Sequence, residues 1–307
     1  MAEVNVGVSY GDVSRKEDVV LNAVEILTAK EVQIMNMISK TTAIDAVHSY
    51  LTDTLETAAS AAVAEEGDYT AGALTTPSRL TNIVEIVAKP FKVSRTQQNI
   101  SHYHGKNELA RQTEKALMNW ANSAEFDVIR STLVSGVSGT VPKMAGLLQA
   151  ISMAVNTTVH TSAVVWNSTI LDALMKNCWD NSNGDVATDL FMGSYLRDAT
   201  DKFTQKTNMV VNASGATTIV RTVSSYETAF GTLMIRKHRY VQQSSDATGR
   251  VLGLAPAKLA IAYLEKPYID TGLARLGDYD FRAVTGKLTV EVHNRQSNFW
   301  AAGFFVG

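Results

Sequence analysis

The sequence has few of the residues that build catalytic and metal-binding motifs. Its 307 residues include one cysteine, Cys178, which excludes an intrachain disulfide and favours folding in a reducing compartment. It contains neither the HExxH nor the CxxC spacing of metal sites, and no glycine-rich phosphate-binding motif. We therefore expect a protein that is not an enzyme and that uses no metal or other cofactor.

A strong net charge and long apolar runs are also missing. The formal net charge is -2 and the pI is about 6.3, which argues against a dedicated nucleic-acid-binding protein, since such proteins usually carry a strongly basic face. No segment approaches the roughly 20 apolar residues of a membrane-spanning helix, and the N-terminus lacks the basic and apolar regions of a signal peptide. We expect no membrane partner and no secretion.

The charge that is present is divided unequally along the chain. Residues 1–86 contain 5 Lys and Arg against 13 Asp and Glu, a net charge of -8, so residues 87–307 carry +6. Apolar residues make up 45% of the chain, which is enough for a substantial core. We infer that the acidic end of one copy is attracted to the body of another copy.

Two long segments have helical periodicity. Ser14 is a suitable N-cap with Glu17 three positions later, and the apolar residues that follow predict a helical arm over residues 14–40. A second helix is predicted over residues 107–134, about 40 Å long, and its stripe is too short for a coiled coil, which favours a helix that spans the core. The stripe consists of Leu109, Thr113, Ala116, Leu117, Trp120, Ala124 and Val128.

Residues 53–85 have little material for a core of their own. Small residues dominate positions 58–64, acidic residues follow at 65–68, and a β-branched run occupies 83–88. This pattern predicts a long two-stranded excursion, which is marginally stable by itself and would become ordered on a basic partner surface. The alternative is a mobile surface loop, which is less typical at this length.

The rest of the chain mixes helical and strand patterns, which predicts an α+β protein with a mixed domain over residues 143–271. Its helices are predicted near residues 170–181 and 195–203, and its strands at residues 209–211, 217–223 and 231–235. The C-terminal end alternates apolar and polar residues over 287–294 and is apolar over 300–306, as expected for a half-buried and a buried strand.

The candidate chemical groups all have structural alternatives. His102 and His104 face the same way on a strand, but two ligands do not make a metal site, and rim histidines are favoured. Cys178 with a histidine would form a nucleophile pair, but it shares an apolar helix face with Leu174, which favours a buried structural thiol.

Two charged groups are equally ambiguous. The spacing of Asp278 and Asp280 fits two carboxylates that do acid–base chemistry in a cleft, and it fits equally well a solvated turn with no chemical role. The basic run 236–239 suits contact with phosphate or, as is more common, a solvated strand edge.

Several short segments occur in a characteristic order. They are residues 48–55 (HSYLTDTL), 66–67, 79–82 (RLTN), 93–96 (VSRT), Gly105, 108–109, 230–231, 276–278 and 288–292 (LTVEV). In this order they resemble the major capsid (major head) proteins of tailed bacteriophages with the Hong Kong 97 (HK97)-type fold. The resemblance spans nearly the whole chain.

The resemblance implies an HK97-type capsid fold and a structural function. It implies an icosahedral head of hexamers and pentamers that self-assembles in the host cytoplasm and encloses packaged double-stranded DNA in the virion. The implied regions are an N-terminal arm (1–46), an extended β-hairpin loop or E-loop with flanking strands (47–94), a peripheral domain with a long spine helix (95–142), an axial domain (143–271) and C-terminal strands that return to the peripheral domain (272–307).

The implied partners are other copies of the chain, a portal protein, nonspecifically bound DNA, and a separate scaffold or decoration protein. Within the loop, Glu56, Glu65, Glu66 and Asp68 are expected to contact a neighbouring subunit. Some members of this class crosslink a loop lysine to a neighbour's asparagine, but no lysine lies between Lys40 and Lys89, so no such crosslink is expected. Because only about 46 residues precede the loop, we expect any scaffold to be a separate protein.

Two alternatives remain open at this point. The same fold is used by encapsulin-like nanocompartments that hold protein cargo and do not assemble with a portal. A different class is a soluble hydrolase that uses Cys178 or the pair His102 and His104, although no spacing in the sequence supports it.

Overall fold

The computed structural model describes residues 32–305, except residues 57, 64, 66, 68–71, 73–75, 100–106, 138, 153–156, 204–223, 243–247 and 275–276. Within these residues the helices are α1 (Gln33–Met37), α2 (Arg95–Asn99), α3 (Glu108–Arg130), α4 (Leu147–Ser152), α5 (Ser168–Asn181) and α6 (Ser194–Asp201). The strands are β1 (Ser39–Thr42), β2 (Val47–Thr52), β3 (Ser78–Ile83), β4 (Glu85–Ser94), β5 (Thr157–Val165), β6 (Asp189–Met192), β7 (Ser225–Thr228), β8 (Gly231–Lys237), β9 (Gly249–Leu254), β10 (Leu259–Asp270), β11 (Tyr279–Val292) and β12 (Phe299–Phe305).

The strands of the described residues form three sheets. The first has the order β1-β10-β11-β4, the second has the order β5-β12-β9-β6-β8-β7, and the third is the pair β2-β3. Helices and sheets are thus both present, as the α+β expectation requires. In the described part of the chain, no helix has both the length and the apolarity to cross a membrane.

Helix α3 lies on one face of the four-stranded sheet. Asn107 caps its N-terminus by accepting a hydrogen bond from the Leu109 N–H (2.9 Å). Near its middle, Trp120 is buried and donates from Nε1 to the Val87 carbonyl oxygen of β4 (2.8 Å). Position 286 of β11 has room only for glycine, because a Cβ atom there would lie 2.7 Å from the Trp120 ring. The prediction of a core-spanning helix is confirmed.

The predicted end and stripe of this helix differ in detail from the structure. The helix stops at Arg130, before residue 134, because Ser131 turns to extended backbone and its hydroxyl donates to the buried Glu85 carboxylate (3.0 Å). Leu117 of the predicted stripe is 40% exposed, whereas Glu125, which lies off the stripe, is fully buried.

The six-stranded sheet packs against α5 and α6 around a second core. The buried face of α5 includes Leu171, Leu174 and Cys178, as predicted, and Leu196 and Ala199 contribute from α6. Strands β8 and β12 occupy the predicted segments 231–235 and 300–306 almost completely. The predicted strands at 209–211 and 217–223 lie outside the described residues.

Helix α1 packs in the core beside the four-stranded sheet, and the C-terminal strands β11 and β12 link the two larger sheets. Of the predicted helix over residues 14–40, the described part is α1, which ends at Met37 because Ile38 has extended backbone; the part before residue 32 lies outside the described residues. Strand β11 pairs with β4 and β10 in the four-stranded sheet, while β12 pairs with β5 and β9 in the six-stranded sheet. The division of the chain into five regions stays a prediction.

Candidate subunit interface

Strands β2 and β3 form the base of the predicted excursion, which we call the hairpin (residues 47–83). They pair antiparallel from Val47 opposite Ile83 to Thr52 opposite Ser78. Side chains of β2 alternate between two faces. Tyr50 is buried against the main body, whereas Leu51 is 66% exposed. The base therefore has one anchored face and one open face.

The anchored face is fixed to β11 by hydrogen bonds from both strands. The Tyr50 hydroxyl accepts from the Val292 N–H (3.2 Å). The buried Asn82 amide donates to the carbonyl oxygens of Val290 (2.8 Å) and Ala145 (3.1 Å) and accepts from the Ala145 N–H (2.9 Å). These bonds hold the hairpin base across the end of the four-stranded sheet.

A carboxylate shared by two histidines lies at the same joint. Glu291 Oε1 is 2.7 Å from His48 Nε2 of the hairpin, and Oε2 is 3.0 Å from His293 Nε2. The Thr41 hydroxyl also donates to Oε1 (2.7 Å). The Glu291 side chain is only 6% exposed, so these donors replace the water that a carboxylate needs. We call these two histidines and Glu291 the joint cluster.

The predicted contact residues lie in the part of the hairpin beyond its base. Glu56 and Glu65 are exposed, while Glu66 and Asp68 lie outside the described residues. Leu55 is 96% exposed, and residues 53–56, 58–63 and 76–77 contain no strand. In the isolated chain, these parts of the hairpin present apolar and acidic side chains to solvent.

The four-stranded sheet has an open face on the side opposite α3. The hairpin base covers this side where Thr289 and Glu291 are buried. Further along the sheet, Ile86 is 56% exposed and Tyr268 is 43% exposed, and Lys92 is also exposed and lies over the Tyr279 ring (5.6 Å). We call this exposed area, formed by the even-numbered residues 86–92 of β4 and their neighbours on β10 and β11, the open sheet face.

A second buried carboxylate joins the arm to the rest of the chain. Glu125 of α3 accepts from the N–H groups of Ile34 (2.7 Å) and Met35 (2.9 Å) in α1, and its Oε1 lies 3.1 Å from His238 Nε2. His238 Nδ1 accepts from the Tyr240 N–H (3.2 Å). Both Glu125 and His238 are completely buried. The expectation that residues 236–239 form a solvated edge is therefore wrong for His238.

A small cavity lies between α3, β4 and the residues that follow β8. Its volume is about 360 Å³, and it is lined by Lys89, Asn122, Ser123, Phe126, Asp127 and Tyr240. Burial, and then the neighbouring charge of Glu85, raise the pKa of Asp127 to about 6. The cavity thus combines a carboxylate that is costly to ionise with one lysine.

Comparison with known proteins identifies the family of the chain. The family model described as SU10 major capsid protein matches residues 8–304. The chain belongs to this family. No curated protein sequence is similar enough to count as a match.

Solved structures support the same fold assignment for this capsid protein. The capsid of Myoviridae phage XM1 is 10% identical with a TM-score of 0.61, over 92% of this chain and 96% of that chain. The capsid of a native GTA particle is 13% identical with a TM-score of 0.61, over 96% and 98%. The holo-SrpI encapsulin complex of Synechococcus elongatus PCC 7942 is 8% identical with a TM-score of 0.59, over 92% of each chain. These likenesses show an HK97-type fold, and the family shows a structural capsid function.

Three of the side chains considered for catalysis, those of Cys178, Asp278 and Asp280, lie among the described residues. Cys178 is fully buried, and burial raises the pKa of its thiol to about 12, so the nucleophilic thiolate is suppressed. His102 and His104 lie outside the described residues. Asp280 accepts from the Gln98 amide (3.0 Å), and Asp278 faces Arg95 (3.9 Å) at the surface. Among the described residues, no three His, Cys, Asp or Glu side chains are arranged to hold a metal ion.

Proposed function

We propose that many copies of this capsid protein close into an icosahedral phage head of hexamers and pentamers around packaged double-stranded DNA. The chain assembles in the host cytoplasm with a portal protein at one vertex, and with a separate scaffold or decoration protein where one is used. It has no catalytic role, and it contacts DNA weakly and nonspecifically, as its net charge of -2 suggests.

The observation that carries this proposal is a hairpin without a core of its own. Leu55 is almost fully exposed, and Glu56 and Glu65 are exposed beside it. A segment of this kind gains order by covering a second surface. The open sheet face offers such a surface, because Ile86 and Tyr268 are apolar and Lys92 is basic. We infer that the hairpin of one copy lies on the open sheet face of another.

The energetics favour a closed ring over an isolated pair. Burying one leucine side chain stabilises a contact by about 2 kcal/mol, and the described part of the hairpin exposes four large apolar side chains, those of Val47, Leu51, Leu55 and Val63. Association itself costs at least about 4 kcal/mol in lost freedom of motion. One hairpin contact is therefore weak, and stability comes from many contacts that close on themselves.

Expression of the chain alone, followed by size-exclusion chromatography and negative-stain electron microscopy, tests the function. We expect shells, tubes, hexamers or pentamers. Reversing the charges of Glu56, Glu65, Glu66 and Asp68 to lysine is expected to abolish closed shells while leaving the circular dichroism of the subunit unchanged. A control reverses Glu114 and Glu227, two exposed carboxylates on α3 and β7, and it should assemble normally. Normal shells from the hairpin variant contradict the proposed contact.

A disulfide trap tests the receiving surface separately. Because Cys178 is buried, a chain with Leu55→Cys and a chain with Ile86→Cys each carry one accessible thiol. Mixed and oxidised during assembly, they are expected to form an intermolecular disulfide on a non-reducing gel. Leu55→Cys mixed with Trp179→Cys is the control, since Trp179 is 47% exposed on α5, away from the sheet face. Equal crosslinking in both mixtures rules out the open sheet face as the specific site.

The proposal also separates a phage head from a nanocompartment. A head protein co-expressed with its portal incorporates that portal into the shell, whereas an encapsulin-like shell forms closed particles around a protein cargo. The same co-expression therefore distinguishes the two assemblies.

A further inference from the structure

We propose that residues 17–31, the segment directly before α1, pack across an exposed part of the six-stranded sheet in their own subunit. This part consists of the side chains of Thr232, Met234 and Arg236 on β8, and we call it the β8 face. The inference goes beyond the proposed function, because it concerns a contact within one subunit and not the contacts between copies.

The β8 face lies on the side of the sheet that points away from α5 and α6. Leu233 and Ile235 of β8 pack in the core that contains both of these helices. Side chains of a strand alternate between two faces, so the residues of the β8 face point to the other side. Phe191 of β6 lies opposite Arg236 and packs in the same core as α1. The β8 face and α1 therefore share one side of the sheet.

Exposure on this side increases with distance from α1. His238, which follows β8, contacts the Phe191 ring (6.0 Å) and is completely buried, because Glu125 joins it to α1. Further back along β8, the Arg236 side chain is 44% exposed and Met234 is 50% exposed. Within the described residues, α1 therefore covers only one end of this side.

The chain enters at the covered end. The Gln33 side chain of α1 donates from Nε2 to the Lys237 carbonyl oxygen at the end of β8 (3.3 Å). The described residues begin at Val32, directly before α1. Residues that precede Val32 are thus tethered beside the β8 face, and such a tether gives them an effective concentration there on the order of millimolar. A segment of another copy lacks this advantage.

Residues 17–31 have the composition of a segment that needs a cover. Six of the nine side chains at positions 19–27 are large and apolar, namely Val19, Val20, Leu21, Val24, Ile26 and Leu27. Exposure of so many apolar side chains to water is unfavourable. The β8 face offers apolar contact through the adaptable Met234 side chain and through the aliphatic stem of Arg236.

The charges of the segment and of the β8 face are complementary near α1. Residues 17–31 contain four acidic residues and one lysine, a net charge of -3. On the sheet, Asp189 pairs with Arg236 (2.7 Å), and Glu227 lies opposite Thr232 at the end distant from α1. Beside α1, three exposed residues are basic: Arg236, Lys237 and Arg239. An acidic segment that runs from α1 along β8 therefore meets a basic surface first.

The length of the segment matches the length of the exposed strand. Val24 precedes Val32 by eight residues, which is about 12 Å at the rise of a helix. Met234 precedes the buried His238 by four residues, which is about 13 Å along a strand. Val24 is therefore expected to lie close to Met234.

A disulfide trap in the full chain tests the contact. One chain carries Val24→Cys and Met234→Cys, and Cys178 is buried. The control chain carries Val24→Cys and Tyr195→Cys, since Tyr195 is 42% exposed on α6, on the opposite side of the sheet. After oxidation at low protein concentration, non-reducing peptide mass spectrometry is expected to find about fivefold more intrachain disulfide in the first chain than in the control.

Limited proteolysis gives a second readout that needs no added cysteine. Trypsin cleaves after Lys30, which lies within the segment, and cleavage requires the segment to leave the β8 face. Met234→Thr keeps a residue that suits a strand but removes the apolar contact. Cleavage after Lys30 is therefore expected to be about fivefold faster in this variant than in the wild type. Tyr195→Thr is the control and should leave the cleavage rate unchanged.

Three results would each overturn the inference. They are equal yields of intrachain disulfide in the two cysteine chains, a disulfide that forms mainly between chains, and unchanged cleavage in a folded Met234→Thr variant. Neither readout depends on shell formation. A chain that forms shells but fails these tests therefore contradicts the contact on the β8 face alone and leaves the proposed function intact.

Discussion

Replacing Glu125 by glutamine tests how the arm is attached to the body of the subunit. Glu125 receives three donors, the N–H groups of Ile34 and Met35 and the Nε2–H of His238, in a site that is completely closed to solvent. Glutamine has nearly the same shape but only one acceptor oxygen. In either orientation, its NH₂ group faces at least one of these N–H donors.

The expected loss follows from this mismatch. A buried donor without an acceptor costs about 1–3 kcal/mol, and breaking a buried charged pair by removing one partner costs about 3–5 kcal/mol. Because the amide oxygen of glutamine still satisfies part of the site, we expect Glu125→Gln to lower the free energy of unfolding by about 3 kcal/mol. The change should also increase hydrogen exchange at the amides of Ile34 and Met35.

Urea unfolding of unassembled subunits, followed by circular dichroism, measures the change. The matched control is Glu114→Gln, an exposed position on the same helix, where a change within about 0.5 kcal/mol is expected. If Glu125→Gln is as stable as this control and its arm amides remain protected, Glu125 does not anchor the arm.

Two further predictions concern single side chains. Burial and the charge of Glu85 raise the pKa of Asp127 from its ordinary 3.8 to about 6, so the folded state binds this proton more tightly and ionisation costs stability above about pH 6. After allowance for solvent screening, Asp127→Asn should raise the free energy of unfolding by about 1 kcal/mol at pH 8 and leave it unchanged at pH 4. Urea unfolding at each pH measures the difference. An equal increase at both pH values would contradict the raised pKa of Asp127. Cys178 should resist iodoacetamide in the native subunit and react in urea, as read by mass spectrometry, and fast native labelling would show that the thiol is not buried.

Local pattern was enough to predict the elements that have one apolar face. Trp120, Ala124 and Val128 are buried on α3 at helical spacing, and the alternation over residues 287–294 corresponds to the end of β11. For these apolar residues, periodicity predicts burial, but the polar Thr289 and Glu291 of the same alternation are buried as well, because the hairpin base covers them. The hairpin was predictable only in part: its base pairs over Val47–Thr52 and Ser78–Ile83, whereas most of the predicted β-branched run 83–88 belongs to β4 of the four-stranded sheet.

The buried polar contacts of Glu125 and Glu291 could not be predicted from the spacing of residues in the sequence. Glu125 and Glu291 are buried although carboxylates are seldom buried without partners, and their partners lie 113 and 243 residues away along the chain. Such a site is stable only when every donor meets its acceptor in the folded chain, so nothing in the local pattern distinguishes Glu125 from the exposed Glu114. His238 illustrates the same limit, since its basic neighbours predicted an exposed edge.

The two joints have a common consequence for assembly. Glu125 fixes α1 to α3, and Glu291 fixes the hairpin base to β11, so both of these described segments are held to the body of the subunit by a buried carboxylate. A hydrophobic contact at these roots would allow sliding, because apolar packing has little directional preference, whereas hydrogen bonds with defined donors and acceptors select one orientation. The proposed shell needs the hairpin to reach another copy in a reproducible direction, and directional bonds at its base meet that need.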